Sequence, residues 1–189
     1  MRIRVAVFLL VCSSSLAFAE PDAAYRFDLS LDLEAMTLRG EGSLRYRNSG
    51  SEPMDALPLV LYPARFRSLD PAITDVNFDR FYVRWFDRGD MRLEQVRAGD
   101  APLTVSAGDS TLPDGVSVTV QLPEPLAVGE WVELNVAFLV DIPDRLGSFG
   151  HRGGRVVLDG GALPFVPARG AAGRLDPRAP PVPASYDLS

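Results

Sequence analysis

The residues with the strongest potential for chemistry lie around the only histidine of the chain, His151. Ser148 lies three residues before it, and Asp144 lies a little further upstream. A serine nucleophile, an imidazole base and a carboxylate together would form a hydrolase triad. The turn that exposes such a serine also needs a glycine where Leu146 stands, and triad members seldom come from one short turn. The pattern therefore favours a glycine-rich turn over a catalytic site.

A second candidate is a calcium loop, because Asp75, Asn77 and Asp79 alternate as in its opening. That loop requires glycine where Arg80 stands and a bidentate glutamate where Phe86 stands. These polar residues are better explained as helix caps and solvent-exposed side chains.

Three further short patterns have simpler explanations. Residues 88–90 spell Arg-Gly-Asp, an integrin-binding tripeptide, but these residue types also mark a turn. The glycines at 150–154 resemble a phosphate-binding loop only in composition, since the lysine and the following helix are missing. The aromatic segment 81–86, flanked by arginines, could stack on sugars or bases, although burial in the core explains it more simply.

The chain is poor in side chains that catalyse reactions. It has one histidine, and beyond residue 19 it has no cysteine and no lysine. A catalytic zinc normally needs three protein ligands, and the most frequent proton shuttle is an imidazole. The sequence therefore predicts no catalytic, cofactor-binding or metal-ligating residue in this chain.

Residues 1–19 predict an export signal. Arg2 and Arg4 precede an apolar run at 5–11, and Ala17-Phe18-Ala19 forms a cleavage site. The run is shorter than the roughly twenty residues that span a bilayer, and no later stretch is long enough. Cys12 would suggest a lipoprotein, but the small residue usually needed before it is missing. We expect cleavage before Glu20 and a periplasmic or extracellular location.

Composition limits the partners of the exported chain. Loss of Arg2 and Arg4 leaves the remaining arginines outnumbered by 25 acidic residues. An acidic domain repels phosphate backbones, so nucleic acid is not expected as a partner. Without cysteine the fold must be held by its core rather than by disulfides, which a domain of this size allows.

Alternating apolar and polar residues predict strands along most of the chain. Residues 25–33 and 36–46 show this period of two and predict an antiparallel hairpin. A third strand is predicted at 56–62 and ends at Pro63, because proline cannot donate to a ladder. Later strands are predicted at 93–98, 103–106, 116–122, 131–140 and 155–158.

Residues 77–89 differ from this pattern. Phe78, Phe81, Tyr82 and Trp85 recur with helical spacing, with Asn77 as a possible N-cap and Gly89 as a stop. We predict a short helix or turn here, and a strand carrying residues 81, 83 and 85 remains the alternative.

These elements predict an all-β fold, a two-layer antiparallel β-sandwich or saddle with one short helical or irregular excursion. The predicted β-domain covers 20–166. Proline and glycine then dominate, so 167–189 is predicted to be an arm that ends as a further strand begins at 186–188.

The order of these elements resembles that of a known family. It includes Leu61-Tyr62-Pro63 and the segment 125–138, PLAVGEWVELNVAF, followed by Gly147-Ser148-Phe149-Gly150. Together with the strands at 25–33 and 40–48, these phrases resemble the N-terminal saddle-shaped β-domain of the aminopeptidase N family of zinc metallopeptidases. The resemblance covers nearly all of residues 20–189.

In that family the chemistry lies in a following domain, on a helix with the motif H-E-x-x-H. Neither this motif nor the family's Gly-x-Met-Glu-Asn strand occurs here. The resemblance therefore implies a non-catalytic N-terminal domain of an exported metallopeptidase, as a fragment or a shortened relative. Zinc is expected only in a complete family member, and a catalytic domain or another protein chain is the implied partner. The alternative is a free-standing cell-envelope β-sandwich binding module.

Overall fold

Strands dominate the computed structural model, which describes residues 21–159 and 161–189. The predicted export signal lies outside these residues. The strands in the described part are β1 Ala23–Asp32, β2 Thr37–Arg47, β3 Met54–Val60, β4 Asp90–Ala98, β5 Ala101–Pro102, β6 Val105–Ala107, β7 Ser117–Leu126, β8 Trp131–Asp141, β9 Phe149–Arg152, β10 Arg155–Leu158 and β11 Ala184–Leu188. Short 3₁₀ turns span Tyr62–Arg67 and Phe78–Arg80.

The strands form two principal sheets. The larger has the order β11, β1, β2, β8, β4, β5, and the smaller has the order β3, β7, β6. Buried side chains of both, such as Leu44 and Phe138 from one and Leu57 from the other, belong to one core cluster. The predicted all-β, sandwich-like class is confirmed. Pairing of the described strands is antiparallel except between β1 and β11, and the isolated bridge between Asp144 and His151 is also parallel.

The predicted N-terminal hairpin is confirmed in β1 and β2. Tyr25 and Phe27 are buried while Arg26 between them is exposed, as a half-buried strand requires. Tyr25 lies opposite Leu44 in the register. The backbone amides of Glu34 and Ala35 donate to the Asp32 carboxylate and close the turn.

The middle of the chain departs from the predicted bounds. The third strand ends at Val60, before Tyr62, and Pro63 lies in the first turn of the 3₁₀ segment. A proline fits there because its fixed φ suits a helical start and its missing N–H is not needed. The strand predicted at 103–106 is β6, shifted toward the C-terminus, because Leu103 instead bonds β4 through Val96 O. The sequence around Ser148 and His151 indicates a glycine-rich turn, whereas the structure has the short strand β9 there.

Residues 77–89 contain the short 3₁₀ turn Phe78–Arg80, which agrees with the predicted short helix or turn, and they do not form the alternative strand. Asn77 does not cap a helix; its side-chain oxygen accepts from Thr74 N at 2.7 Å, and its amide donates to Ala72 O at 3.0 Å. These bonds close the loop before Asn77, so its side chain does not cap the 3₁₀ turn that follows at Phe78. The 3₁₀ turn then ends at Arg80, and the segment to Gly89 is irregular, which fits the predicted irregular excursion.

One buried asparagine joins the two principal sheets. Asn48 is fully buried, and its amide donates to Leu126 O and Glu52 O, each at 2.9 Å. Its backbone bonds Glu130 and Gly129, in the tight connection between β7 and β8. Because β7 belongs to the smaller sheet and β8 to the larger, Asn48 fixes the point where the chain crosses between the layers.

The C-terminal segment lies against the same core. Isolated bridges pair Pro167 with Pro181 and Arg169 with Leu175. Strand β11 then lies beside β1, where the Tyr186 ring stacks on Tyr25 with centroids 5.0 Å apart. Among the residues described, no helix has the length and apolar character needed to cross a membrane.

Candidate functional site

Asp144, Ser148 and His151, the residues that could form a hydrolase triad, have separate partners in the structure. The Asp144 carboxylate accepts from Arg152 Nη1, with both oxygens at 2.9 Å. His151 bonds through its backbone N–H to Pro143 O, and its strand turns at 153–154 into β10. In the described part of the chain no hydrogen bond links the side chains of Ser148, His151 and Asp144. The acid that would orient the imidazole is instead held by an arginine.

The residues that resemble the opening of a calcium loop, Asp75, Asn77 and Asp79, are explained by the local structure. The Asn77 side chain is occupied by backbone groups of residues 72 and 74, and Asp75 and Asp79 are exposed. Across residues 21–159 and 161–189, no group of three histidine, cysteine or acidic side chains is placed to hold a metal ion.

The Arg-Gly-Asp tripeptide is part of the framework. Asp90 is 7% exposed and begins β4, and its carboxylate accepts from Arg67 Nε. Gly89 is buried, and its N–H donates to Phe66 O at 3.1 Å. This ion pair and this hydrogen bond fasten the first 3₁₀ turn to β4, so the aspartate is not displayed for a receptor.

The aromatic segment is divided between core and surface. Tyr82 is buried between Phe78 and Phe86, with ring centroids 5.3 Å from each. Trp85 is 65% exposed, and the Arg84 guanidinium lies 5.8 Å from its ring centroid. Core burial thus explains Tyr82 but not Trp85.

A pocket of about 390 Å³ lies beside this segment, and we call it the Arg145 pocket. Three stretches of chain build it: the first 3₁₀ turn with the loop after it, the irregular excursion, and residues 145–148. Its aromatic walls are Tyr62, Phe66, Phe81 and Tyr82.

Arg145 is held among these rings. Its guanidinium carbon lies 4.3 Å from the ring centroid of Phe66, 6.0 Å from that of Phe81 and 5.8 Å from that of Tyr82. Its Nη1 donates to Phe149 O at 3.0 Å. Its Nε is buried and has no hydrogen-bond partner among the described residues. Burial raises the pKa of Tyr82, and the Arg145 charge opposes that rise.

Two further arginines line the pocket. Arg65 donates to Tyr62 OH at 2.9 Å and lies 3.5 Å from an Asp70 oxygen. Arg80 is exposed and makes no side-chain hydrogen bond or ion pair within the described residues. Asp70 is the one carboxylate among the lining residues, so the pocket is positively charged in an otherwise acidic chain.

Sequence patterns did not reveal the Arg145 pocket. Its lining residues extend from Tyr62 to Ser148, and each of the three stretches alone is typical of a turn. The only local sign was the arginine-flanked aromatic segment at 81–86. Ser148 also lines the pocket, but as an exposed residue beside Arg145 and without the partners of a nucleophile.

Comparison with known proteins gives structural neighbours only. No protein-family model matches the sequence, and no curated protein matches it. One neighbour is a mutant M1 zinc metallopeptidase from Deinococcus radiodurans bound to a Tyr-Ser-Ala substrate, with 16% identity and a TM-score of 0.44. Another is a mutant two-domain M1 zinc metallopeptidase bound to L-tryptophan, with 16% identity and a TM-score of 0.43. Each match covers 88% of this chain and 32% of the neighbour, so the chain spans about a third of the length of these M1 zinc metallopeptidases.

Proposed function

We propose that this chain acts as the non-catalytic N-terminal β-domain of an exported aminopeptidase N type zinc metallopeptidase. It belongs either to a longer enzyme or to a shortened relative. In both cases it packs on a catalytic domain or on another chain, and that partner supplies the zinc and the general base.

The main support for this proposal is the position in the fold of segment 125–138, whose sequence resembles the family. It runs from the end of β7 through the tight turn into β8 and so links the two sheets. Leu126, Leu134, Val136 and Phe138 of this phrase are buried in the core. The resemblance therefore rests on the segment that determines the architecture, rather than on a surface loop.

The surroundings of the polar residues support the non-catalytic part of the proposal. Asp144 is paired with Arg152, Asp90 is paired with Arg67, and Asn77 bonds the backbone. Each of these polar side chains therefore has a structural partner within the described chain.

The test is reconstitution of activity. The chain is purified alone and together with the polypeptide encoded downstream that carries H-E-x-x-H, and hydrolysis of aminoacyl p-nitroanilides and zinc content are measured. We expect turnover and about one zinc only in the combined sample, and co-purification of the two parts. Ser148→Ala should leave that turnover unchanged, whereas replacing the motif's glutamate by glutamine should abolish it.

Turnover by the chain alone that disappears in Ser148→Ala would refute the non-catalytic role. If no downstream frame carries the motif, the chain is not part of a longer enzyme, and the binding module is favoured over that form of the proposal.

Export is tested separately by N-terminal sequencing of the protein recovered outside the cytoplasm. The charged start, apolar run and Ala17-Phe18-Ala19 site predict a mature chain that begins at Glu20. Recovery of an intact N-terminus in the cytoplasm would contradict this part of the proposal.

A second candidate function is the free-standing binding module, and the Arg145 pocket favours it. A concave site lined by aromatic rings with a few convergent polar groups is typical of a small-molecule binding site. The structural role of the β-domain does not require such a pocket.

A further inference from the structure

We propose that the Arg145 pocket binds a small organic monoanion that carries an aromatic ring close to a carboxylate. This inference does not depend on the proposed function, because the pocket lies within the described chain. A domain of a peptidase and a free binding module could both use it.

The carboxylate specificity follows from the cations. Arg65, Arg80 and Arg145 converge on the pocket from three separate segments, against the single carboxylate of Asp70. A guanidinium is planar and matches a carboxylate with two parallel hydrogen bonds. The chain as a whole is acidic, so a cluster of three arginines is a local exception that a bound anion would explain.

Arg145 is the preorganised member of this set. Its Nη1 donates to Phe149 O and its guanidinium also hydrogen-bonds the Tyr82 side chain, so the group is held at the pocket wall while part of its five N–H donors stays unused. Stacking on Phe66 at 4.3 Å keeps the guanidinium plane in place, so little side-chain entropy is lost when an anion binds. Arg80 lies on the exposed rim, where it can attract the anion without first breaking an ion pair.

The ring specificity follows from the walls. Four aromatic side chains line the pocket, and Tyr62 and Phe81 are more exposed than the buried Phe66 and Tyr82. Aromatic pairs gain energy beyond their buried area. The volume of about 390 Å³ is at the lower end of the usual range for ligand pockets and suits one ring with a short acidic group. A phosphate without a ring would use the charges but leave these walls unfilled.

The test uses N-acetyl-L-phenylalanine as the probe and isothermal titration calorimetry on the purified chain. N-acetyl-L-phenylalaninamide has the same ring without the charge, and inorganic phosphate has charge without the ring. We expect one site for the carboxylate with a dissociation constant below about 1 mM, and at least tenfold weaker binding of the amide and of phosphate.

Two variants locate the site. Arg145→Gln should weaken binding more than tenfold, and Arg80→Gln, which breaks no described side-chain contact, should weaken it about threefold to tenfold. Arg155→Gln removes the same charge from an exposed position outside the pocket and should have no effect. Thermal melting verifies that each variant is folded, and Arg80→Gln keeps the test decisive if Arg145→Gln does not fold.

The proposal is overturned if no heat of binding appears at about 10 mM probe. It is also overturned if the amide or phosphate binds as tightly as the carboxylate. The same holds if Arg80→Gln and Arg155→Gln change the dissociation constant of the probe equally. Tight binding of phosphate alone would identify the pocket as a general anion site.

Discussion

Asn48 has a larger structural role than the polar residues that the sequence suggests as candidates for chemistry. Its side chain donates to two carbonyls, and its oxygen accepts from Gly50 N at 3.1 Å and from Arg169 Nη2 at 2.9 Å. These partners lie at the end of β7, in the loop at 50–52 and in the C-terminal segment, so the one side chain joins three parts of the chain. A buried amide in such a network is costly to remove, because each partner left without a hydrogen bond keeps its desolvation penalty.

We predict that Asn48→Ala lowers the free energy of unfolding by about 2–4 kcal/mol, because the buried Leu126 carbonyl and three part-buried groups lose their partner at once. The measurement is urea unfolding followed by tryptophan fluorescence. Asn135→Ala is the matched control: Asn135 is exposed on β8, and its loss should change stability by less than about 0.5 kcal/mol. Equal effects of the two substitutions would show that Asn48 is not the structural link described.

Single residues also show where sequence motifs mislead. Arg-Gly-Asp at 88–90 looks like a recognition motif, yet Asp90 is buried against Arg67. Asp144, which lies four residues before Ser148 and seven before His151, is paired with Arg152. In both cases an arginine outside the motif determines the role of the acid, and the motif itself does not contain that information.

At the scale of elements, the β1 and β2 hairpin depends on a glycine. Gly42 has φ +155°, and a Cβ there would lie 2.0 Å from Arg26 O on the paired strand. It also lies opposite Val136 of β8, so β2 is hydrogen-bonded on both sides and cannot move away from the contact. Only glycine allows the backbones to approach this closely.

We predict that Gly42→Ala destabilises the chain by about 3 kcal/mol or more, since the clash is with backbone atoms in the middle of a sheet. Gly99→Ala is the control. Gly99 has φ +56° in the turn between β4 and β5, with no atom within 4 Å of the added Cβ, so it should cost only about 1 kcal/mol. Thermal unfolding of both variants checks the difference, and equal losses would show that backbone conformation alone matters.

Elements with a strong local pattern were predictable, and the others were not. The alternation in β1, β2 and β8 reflects one buried face, so it identifies these strands from sequence alone. β9 has four residues, including a glycine, which is too short for a period to be visible. The partner of β11 is β1, about 160 residues away, and pairing across that distance is determined by packing of the whole domain.

The Arg145 pocket belongs to the scale of the whole molecule. Phe66, Phe81 and Arg145 meet only after the two sheets have brought their loops to one place. The irregular path of 77–89 is part of the same arrangement, because Tyr82 packs against Arg145 instead of continuing a helix. Neither residue propensity nor residue spacing in a single sequence predicts such a contact. For this reason the aromatic segment 81–86 was the only part of the pocket that the sequence indicated.

The buried tyrosines of the core make stability depend on alkaline pH. Burial raises the pKa of Tyr25, although the Val166 N–H that donates to its hydroxyl partly opposes this, and burial also raises the pKa of Tyr46 and Tyr82. In the unfolded chain these phenols lose their protons near pH 10. The folded chain retains them, so above that pH the unfolded state binds fewer protons and is favoured.

We therefore predict that the free energy of unfolding is nearly constant below pH 9 and falls above pH 10, by about 1.4 kcal/mol per pH unit for each tyrosine that stays protonated in the fold. Urea unfolding at pH 8 and pH 11, with phenolate absorbance as a second signal, measures this. Tyr25→Phe should be less stable at pH 8, because Val166 N–H loses its acceptor, yet should lose less stability between the two pH values than the unsubstituted chain. An equal loss in both proteins would mean that Tyr25 ionises in the folded state as readily as in water, which its burial between β11 and the core does not allow.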